Sequence, residues 1–506
     1  METNRPKVSR IDERFYMKTI LISGFLLVMF ASAVFGQIVF EKYFIDQTLR
    51  IDYYHIGDAK EELVTLDRLY RYGIWAGSRK NLIDRFDNGK YYIQIFDTTG
   101  NELLFSKGFD SYFGEYQTSE EAANGIKRTY HESALIPMPK SKVIFRLLKR
   151  DPRNKLITFF QSVIDPDDVM IISQSFADPE IKIINTHKSG DPHKCLDVVI
   201  LGEGYTKDEE NKFEQDLVFF SRLFLKHPPY DRYIDKINIY GVLKPSLESG
   251  IDEPRAGIFK NTALSFTFNS LGSERYVMTE DNKTLRDVAA SVPYDAIYVM
   301  VNHKRYGGGG IQNLYCSFTT DNQWREYLFL HEFGHSFAGL ADEYYTSATS
   351  YNDFYPKGVE PYTPNITALL NPDQLKWKDL VTPGIEIPTP WEKGEYDKAD
   401  LVWQKKRREM NNEIARLKRT GADPKKIREA ERAYDVSDST HAMEMRRFLE
   451  KSTYAGKVGA FEGAGYVSEG LYRPMIDCIM FSKTKLRFCK VCERSVERVI
   501  NFYLEE

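Results

Sequence analysis

Cysteine is scarce in this chain, which has only five Cys among its 506 residues. So long a chain is not built on disulfides, because a few bridges could only reinforce a core that already exists. An excess of charge of one sign is also lacking, since 69 basic residues face 73 acidic ones and the net charge is −4. Proteins that bind nucleic acids generally carry a basic field, so the composition argues against a nucleic-acid partner.

Long apolar runs are confined to the N-terminus, where one extends from about Ile20 to Phe35. Basic residues, among them Lys7 and Lys18, precede this run, and small residues end it. That order is typical of a secretory signal peptide, which we place at residues 1–36. An uncleaved anchor is the alternative, but the run is at the short edge of the about 17–25 residues that a span needs. We therefore expect a secreted or periplasmic protein with no membrane span in its mature chain.

Residues 37–190 contain short alternating apolar segments bounded by turn residues, as at Tyr91–Phe96 and Asp168–Ser173. Alternation with a period of two is typical of antiparallel strands, so we expect a β-sandwich-like accessory domain. One stretch, from about Ala59 to Ile74, has the apolar spacing of a helix instead. The sequence assigns no chemistry to this N-terminal domain.

The pattern changes after residue 190, where strands alternate with helices. Continuous apolar runs at Leu196–Leu201, Ile237–Leu243 and Ala296–Val301 predict buried strands, with an amphipathic helix at about 208–226. Such strands imply a mixed sheet covered by helices on both faces. We therefore expect a second domain at residues 191–506 and a fold of the α+β class.

A charged segment at about 393–457 interrupts this second domain. It is dense in Lys, Arg and Glu, and Gly421 and Pro424 separate two helix-forming stretches. We expect an exposed helical hairpin inserted in a loop, with its charges facing solvent. A role in selecting protein substrates is the less favoured interpretation.

The residues typical of catalysis are concentrated in one predicted helix at about 323–337, which contains the motif His331-Glu-Phe-Gly-His335. Residues four apart in a helix differ by about 40° in direction, so both imidazoles lie on one face. This spacing lets the two rings bind one Zn²⁺ at about 2.0–2.1 Å. Glu332 can point into the same cleft and take the proton from a metal-activated water.

A catalytic zinc site usually has a third protein ligand in addition to water. Gly339 can adopt the left-handed conformation that ends a helix, and a carboxylate three residues later could then reach the metal. Asp342 is the preferred third ligand and Glu343 the alternative, and either could instead orient an imidazole. The other histidines offer little competition as ligands. His55 and His131 are isolated and are interpreted as structural or exposed, His303 ends a predicted strand, and His441 lies in the charged segment.

Three segments resemble the IgA-peptidase family of zinc metallopeptidases, which is grouped with the metzincin-type enzymes. They are HEFGHSFAGLADEY (331–344), VGAFEGAGYVSEGLYRP (458–474) and CIMF (478–481). The resemblance covers roughly residues 193–506, and the β-rich segment resembles the N-terminal domain that accompanies this family. It implies a twisted mixed sheet with a zinc helix above the cleft and a second lobe below.

The resemblance also implies roles for individual residues. It makes His331 and His335 zinc ligands, Glu332 the general base, and Met480 the methionine of a tight turn beneath the metal. The metzincin order places its glycine one residue earlier than Gly339 stands here. An extra helical residue turns the helix exit by about 100°, which leaves the third ligand open at this point.

Two further features are compatible with a peptidase cleft. A glycine run at 307–310 leads into Ile311–Phe318, which we expect to be an edge strand able to pair with an extended peptide, a flexible hairpin being the alternative. Tyr466, Tyr472 and Arg473 are candidate donors to the oxyanion of the tetrahedral intermediate.

Three cysteines near the C-terminus allow two interpretations. Cys489 and Cys492 could form half of a metal-binding knuckle, but the sequence shows no second pair to complete four ligands. In an exported protein a disulfide from Cys478 to Cys489 or Cys492 is the favoured expectation.

Together these features predict an exported zinc endopeptidase that hydrolyses peptide bonds of protein or peptide substrates. The family name does not assign immunoglobulin A as the substrate. One alternative is a non-catalytic protein- or glycan-binding surface protein with a vestigial metal site. The other is a zinc amidase that acts on cell-wall peptides.

Overall fold

Two four-stranded sheets form the N-terminal region. The structure, a computed structural model, describes residues 38–173, 178–345 and 355–504. After a short helix, α1 (Phe40–Tyr43), the strands are β1 (Phe44–Gly57), β2 (Glu62–Tyr72), β3 (Tyr91–Asp97), β4 (Leu103–Phe109), β5 (Arg128–Pro139), β6 (Val143–Arg150), β7 (Leu156–Ile164) and β8 (Ile172–Ser173). Two short helices, α2 (Tyr112–Tyr116) and α3 (Glu120–Ala123), lie between β4 and β5.

The strand orders are β5-β1-β2-β8 in one sheet and β4-β3-β6-β7 in the other. The two sheets contact each other through aromatic rings. The ring of the buried His55 on β1 lies 5.5 Å from that of the buried Tyr91 on β3 and 5.7 Å from that of the half-buried Phe159 on β7. This arrangement agrees with the predicted sandwich-like domain.

The prediction of a helix at about 59–74 is wrong, because most of this stretch forms strand β2. It pairs antiparallel with β1 from Gly57 opposite Glu62 to Thr48 opposite Tyr72. Pairing with a neighbouring strand overrides the local helical spacing of its leucines. Of the strand expected at 168–173, only Ile172–Ser173 is formed.

A six-stranded mixed sheet is the centre of the second region. Its order is β13-β14-β12-β10-β11-β9, with β10, β11, β12 and β14 parallel and the two edge strands antiparallel. The strands are β9 (Lys182–His187), β10 (Leu196–Glu203), β11 (Ile237–Leu243), β12 (Ala296–Val301), β13 (Gly308–Ile311) and β14 (Tyr315–Thr319). The three apolar runs named above are thus buried strands, as their composition predicts.

Helices cover both faces of this sheet, which explains why its central strands are apolar throughout. On one face, α4 (Glu210–Lys226) and α6 (Arg325–Ala338) share a core with alternate residues of the strands, and Phe220 and Phe329 meet there at 5.1 Å between ring centroids. On the other face, α5 (Asn282–Ala289) packs Leu285 and Val288 into a second core.

The charged insert is a helical hairpin of α7 (Lys393–Arg419) and α8 (Pro424–Lys451), as expected. It is tied to the second region by polar contacts, for example from Lys418 to Glu253 at 3.1 Å and from Trp324 to Asp438 at 2.7 Å. A two-stranded sheet, β15 (Val458–Ala464) and β16 (Val467–Met475), and the helix α9 (Lys490–Leu504) complete the described chain.

From Phe40 onward the chain forms one compact unit. The predicted signal peptide at residues 1–36 lies outside the described residues. Among the helices that the structure describes, none combines the length and apolar character needed to cross a membrane.

Candidate metal centre

Helix α6 presents His331 and His335 on the same face, as their spacing of four residues requires. The two Nε2 atoms are 3.1 Å apart, and the ring centroids are 4.7 Å apart. The helix lies against the sheet edge formed by β13 and β14 through its other faces, where residues such as Phe329 and Phe333 are fully buried. Packing of these buried residues against the sheet therefore fixes the direction in which both imidazoles point.

Gly339 ends the helix in the left-handed conformation that the sequence suggests, with φ 60° and ψ 30°. The N–H of Leu340 donates back to the carbonyl of Gly334 at 3.2 Å, which closes the helix and reverses the chain. A side chain at Gly339 would also collide with Gln312, whose amide lies 2.7 Å from the position of an added Cβ. Glycine is therefore needed here for both conformation and space.

The reversed chain brings Asp342 to the two imidazoles. Its Oδ1 lies 3.1 Å from Nε2 of His331 and 3.2 Å from Nε2 of His335. The three atoms thus form a nearly equilateral triangle with sides of 3.1, 3.1 and 3.2 Å. Three ligand atoms about 2.0–2.1 Å from one tetrahedral centre lie about 3.3 Å from each other, so the triangle has the size that Zn²⁺ needs.

Outer contacts orient both imidazoles toward this triangle. The Nδ1–H of His331 donates to the carbonyl of Ile479 at 3.0 Å, and the Nδ1–H of His335 donates to the carbonyl of Leu340 at 2.6 Å. A proton held on Nδ1 leaves the lone pair on Nε2, which is the arrangement of metal-binding histidines. Oδ1 of Asp342 is buried and accepts no hydrogen bond from the described residues. These donors fit a divalent metal ion.

The electrostatics of the triangle favour a cation. Burial lowers the pKa of His335, but the charge of Asp342 outweighs burial and raises that pKa to about 9. Burial also acts to raise the pKa of Asp342, yet the imidazoles hold it well below its usual range. The carboxylate therefore stays ionised and supplies the negative charge that a metal ion would neutralise.

Glu332, the residue after His331 in helix α6, faces the same cleft. Its side chain is 9% exposed, and burial raises its pKa. The glycine run explains how the sheet edge approaches this residue, because a Cβ on Gly308 would lie 2.9 Å from Oε1 of Glu332 and one on Gly310 would lie 2.4 Å from its carbonyl oxygen. Larger residues at these two positions would push the edge strand away from the helix.

The predicted edge strand at 311–318 is a hairpin instead. The edge is β13 itself, Gly308–Ile311, and β14 follows as the second strand of the sheet. The glycines thus form regular strand structure rather than a flexible loop. Part of this edge is already paired, since Gly308 accepts from the N–H of Val277 at 3.2 Å and donates to the carbonyl of Arg275 at 3.1 Å.

The cleft around the triangle has a volume of about 80 Å³, enough for several water molecules. The N-terminal region contributes two carboxylates to its wall, Asp110 and Glu115, which the sequence gave no reason to single out. Burial raises the pKa of Glu115 to about 7, with Asp110 adding to the effect. The accessory domain is therefore part of the cleft, and only the folded chain reveals this.

Of the three candidate oxyanion donors, only Tyr466 lines the cleft. Its hydroxyl donates to Oδ2 of Asp342. Tyr472 pairs with Thr367 through its backbone, and the buried Arg473 donates to the carbonyl of Gly463 at 2.7 Å. The structure therefore does not bring the candidates Tyr472 and Arg473 to the cleft.

Two cleft residues were missed by the sequence reasoning, Arg275 and Tyr344. The guanidinium of Arg275 donates to the hydroxyl of Tyr344 and lies 5.2 Å from its ring centroid. Arg275 belongs to none of the motifs singled out in the sequence, whereas Tyr344 ends the segment HEFGHSFAGLADEY and follows Asp342 by two residues.

Met480 is fully buried beneath helix α6, with its sulfur 3.0 Å from the position of a Cβ on Gly334. It lies in a tight turn in which the N–H of Phe481 donates to the carbonyl of Cys478 at 2.9 Å. This is the position that the family resemblance implies for the methionine turn.

Glu343 does not join the triangle, because its side chain turns away toward Cys492, whose Sγ lies 3.1 Å from Oε1. All five cysteines lie in described residues, and none is bonded to another. The expected disulfide from Cys478 is therefore not formed, although Cys489 and Cys492 are indeed its neighbours.

Comparison with known families gives two matches. The description "IgA Peptidase M64" matches residues 184–500, and "Peptidase M64 N-terminus" matches residues 39–161. Comparison with curated proteins gives no match. The first match covers well over half of the chain and includes helix α6, the turn that follows it and the methionine turn. The chain therefore belongs to the IgA peptidase M64 family and is a peptidase.

Proposed function

We propose that this peptidase is an exported zinc endopeptidase whose metal ligands are His331, His335 and Asp342 and whose general base is Glu332. The observation that carries the proposal is the triangle of Nε2, Nε2 and Oδ1 atoms with sides of 3.1, 3.1 and 3.2 Å. Nitrogen and oxygen ligands with tetrahedral spacing suit Zn²⁺. A zinc ion bound there would lower the pKa of water and polarise the scissile carbonyl.

The protein's own groups account for the proton transfers. Glu332 accepts the proton of the attacking water at a carboxylate oxygen and then delivers it to the leaving amine. Burial raises the pKa of Glu332, which brings it closer to the range where a carboxylate can both accept and return a proton. Its position one residue after His331 places it beside the ligands without making it one of them.

The cleft wall offers groups for substrate binding. Tyr466 and the pair of Arg275 and Tyr344 are donors that can stabilise the negative charge developing on the carbonyl oxygen. Gly310, the half-exposed member of edge strand β13, can pair with an extended peptide through its backbone. We therefore propose protein or peptide substrates that bind in an extended conformation.

Glu332→Gln tests the mechanism, because it keeps the size of the side chain and removes its basicity. We expect the variant to retain metal at the histidine centre and to lose cleavage of a diverse peptide library by roughly 10²–10⁴-fold. The readouts are metal analysis and mass spectrometry of the cleavage products. Unchanged cleavage would overturn the assignment of the general base, and an inactive metal-loaded wild type would favour a binding protein instead.

Export has a separate test. Expressed with its N-terminus intact, the protein should appear outside the cytoplasm and lack about the first 36 residues, as a removed signal peptide requires. Intact-mass measurement of the secreted or periplasmic fraction checks this expectation. A full-length chain retained in the membrane fraction would indicate an uncleaved anchor.

A further inference from the structure

A second cluster of side chains of the types that bind metals lies next to the histidine centre in the chain. It consists of Glu343, Cys478, Cys489 and Cys492, whose ligand atoms all lie within 4.8 Å of one another. All four side chains are buried, with exposed fractions of 0, 0, 4 and 0%. Three segments supply them: the chain after helix α6, the methionine turn, and the start of helix α9.

The distances suit a tetrahedral ion. The sulfurs of Cys478 and Cys492 are 3.9 Å apart. This is close to the distance of about 3.8 Å between two thiolates that each lie about 2.3 Å from a tetrahedral zinc. Cys489 and Cys492 have the two-residue spacing of a zinc knuckle, and the N–H of Cys492 lies 3.5 Å from the sulfur of Cys489. The fourth ligand, Glu343, is far away in the sequence and becomes visible only in the fold.

Glu343 supplies an independent observation. Its Oε1 accepts hydrogen bonds from Asn365 at 3.0 Å and from the thiol of Cys492 at 3.1 Å. Its Oε2 is buried and has no hydrogen-bond partner in the part of the chain that the structure describes. A buried carboxylate oxygen without a partner is costly unless a cation or a donor occupies its free side.

A disulfide explains this cluster less well than a metal ion. A bond would join only two of the three sulfurs and would leave the third thiol buried beside Oε2 of Glu343, which has no hydrogen-bond partner among the described residues. A metal ion engages all four groups at once. The charge of three thiolates and one carboxylate exceeds that of Zn²⁺, but the buried Arg473 interacts electrostatically with Glu343 and the N-terminus of helix α9 adds further positive potential.

We propose that Glu343, Cys478, Cys489 and Cys492 bind a second zinc ion in a closed, structural site. The site has four protein ligands and is shielded from solvent, as structural rather than catalytic zinc sites are. Its role is to hold in place the segments that carry the histidine centre. Glu343 directly follows Asp342, and its N–H donates to the carbonyl of Met480 at 2.8 Å. The ion thus ties the exit of helix α6, the methionine turn and helix α9 to one point.

Cobalt substitution tests this proposal independently of catalysis. The wild type, reduced and depleted of metal, should bind two Co²⁺ per chain, and one of them should give the strong charge-transfer absorption that only thiolate ligands produce. The double variant His331→Ala/His335→Ala should bind one Co²⁺ and keep this band. Cys489→Ser should lose the thiolate band and bind one Co²⁺ fewer. Cys195 is a buried cysteine outside the cluster, so Cys195→Ser should keep the band and still bind two Co²⁺.

A second measurement covers the case in which Cys489→Ser fails to fold. Titration of the zinc-loaded double histidine variant with a mercurial should release one equivalent of zinc as the thiols react. The proposal is overturned if the folded double variant binds no metal, if no thiolate band appears, or if peptide mapping finds a disulfide within the cluster. One ion per wild-type chain without a thiolate band would reject the second site and leave the histidine centre standing.

Discussion

Two regions of the molecule contain buried clusters of histidine and carboxylate, and they are built differently. In the N-terminal region His55 lies between two carboxylates, with Nδ1 3.0 Å from Glu132 and Nε2 2.8 Å from Glu62. In the second region both histidines of helix α6 turn Nδ1 to a backbone carbonyl and point Nε2 toward Asp342. The partner of each ring nitrogen is the difference between the two clusters.

That difference decides what each histidine can do. Burial acts to lower the pKa of His55, but Glu132 and Glu62 outweigh it and raise the pKa. A carboxylate oxygen faces each of its ring nitrogens, so neither nitrogen is open to a further ligand. Such a ring forms ion pairs with the carboxylates on both of its sides. A neutral carbonyl holds a single proton on Nδ1 and leaves Nε2 free to bind. The geometry therefore distinguishes a structural ion pair from a candidate metal ligand.

The carboxylates of the two clusters also differ in the groups that they contact. In the N-terminal cluster Glu62 also accepts from Lys149 at 2.6 Å, and Glu132 accepts from the N–H of Phe113 at 3.0 Å. In the second cluster Oδ1 of Asp342 is left without a hydrogen bond from the described residues. One cluster is complete with protein groups alone, whereas the other has ligand atoms that fit a metal ion.

The largest effect that would test this comparison is on catalysis. His331→Ala removes one of the proposed ligands, so we expect loss of the ion at the histidine centre and a fall in peptide cleavage of roughly 10³-fold or more. His55→Gln should retain the ion and its kcat per folded molecule. Metal analysis and peptide cleavage measure both variants side by side. Normal cleavage by His331→Ala would contradict the proposed ligand set.

The next largest effect is on stability, and here the variant of His55 rather than that of His331 should be the impaired one. His55→Gln leaves Glu62 and Glu132 buried without their shared cation, and removal of one partner of a buried ion pair costs roughly 3–5 kcal/mol. Denaturant unfolding of metal-free protein measures the loss. His187→Gln is the matched control, because the ring of His187 contacts the carbonyl of Ile234 rather than buried carboxylates. Equal stability of the two variants would show that the His55 cluster is not an important source of stability.

The sequence predicts that the residues of helix α6 lie together because that information is local. His331, Glu332 and His335 share one helical turn, and Gly339 ends the helix by its own conformational preference. The choice between Asp342 and Glu343 depends on the path of the chain after that turn, which spacing alone cannot determine. The mixed sheet was predictable for a similar reason, since each central strand is a continuous apolar run.

Groups brought together from distant segments could not be predicted. Asp110 and Glu115 reach the cleft only because the N-terminal region packs against the second region. Glu343 joins the cysteines across a long stretch of chain, so the sequence showed a knuckle with too few ligands. Strand β2 was mistaken for a helix because pairing with β1, rather than its own spacing, determines its conformation.

A smaller effect sharpens the assignment of the third ligand. Asp342→Asn removes the negative charge next to the imidazoles, so we expect metal affinity at the histidine centre to fall by roughly 10–100-fold or more. Asp110→Asn is the control, because Asp110 lines the same cleft but accepts from the N–H of Lys90. Reactivation of the metal-free enzyme by titrated Zn²⁺ measures the affinity. Equal affinities of the two variants would rule out Asp342 as a ligand.

The smallest expected effect is the pH dependence of the His55 cluster. Because the folded-state pKa of His55 is raised above 6.5, its ion pairs stabilise the fold fully below that pH and are lost as the pH rises through the folded-state pKa. The pKa of Glu62 is lowered to about 2, despite burial, by contacts with His55 and Lys149, so its contribution is present above 4.5 and is lost as the pH falls toward 2. The difference in Tm between wild type and His55→Gln should therefore be largest at about pH 5.5, and it should shrink as the pH rises above 6.5 through the folded-state pKa. Thermal unfolding of both metal-free proteins across this range measures it, with His187→Gln as reference. A difference that stays constant with pH would mean that the ring of His55 is neutral, and the contrast drawn between the two clusters would then fail.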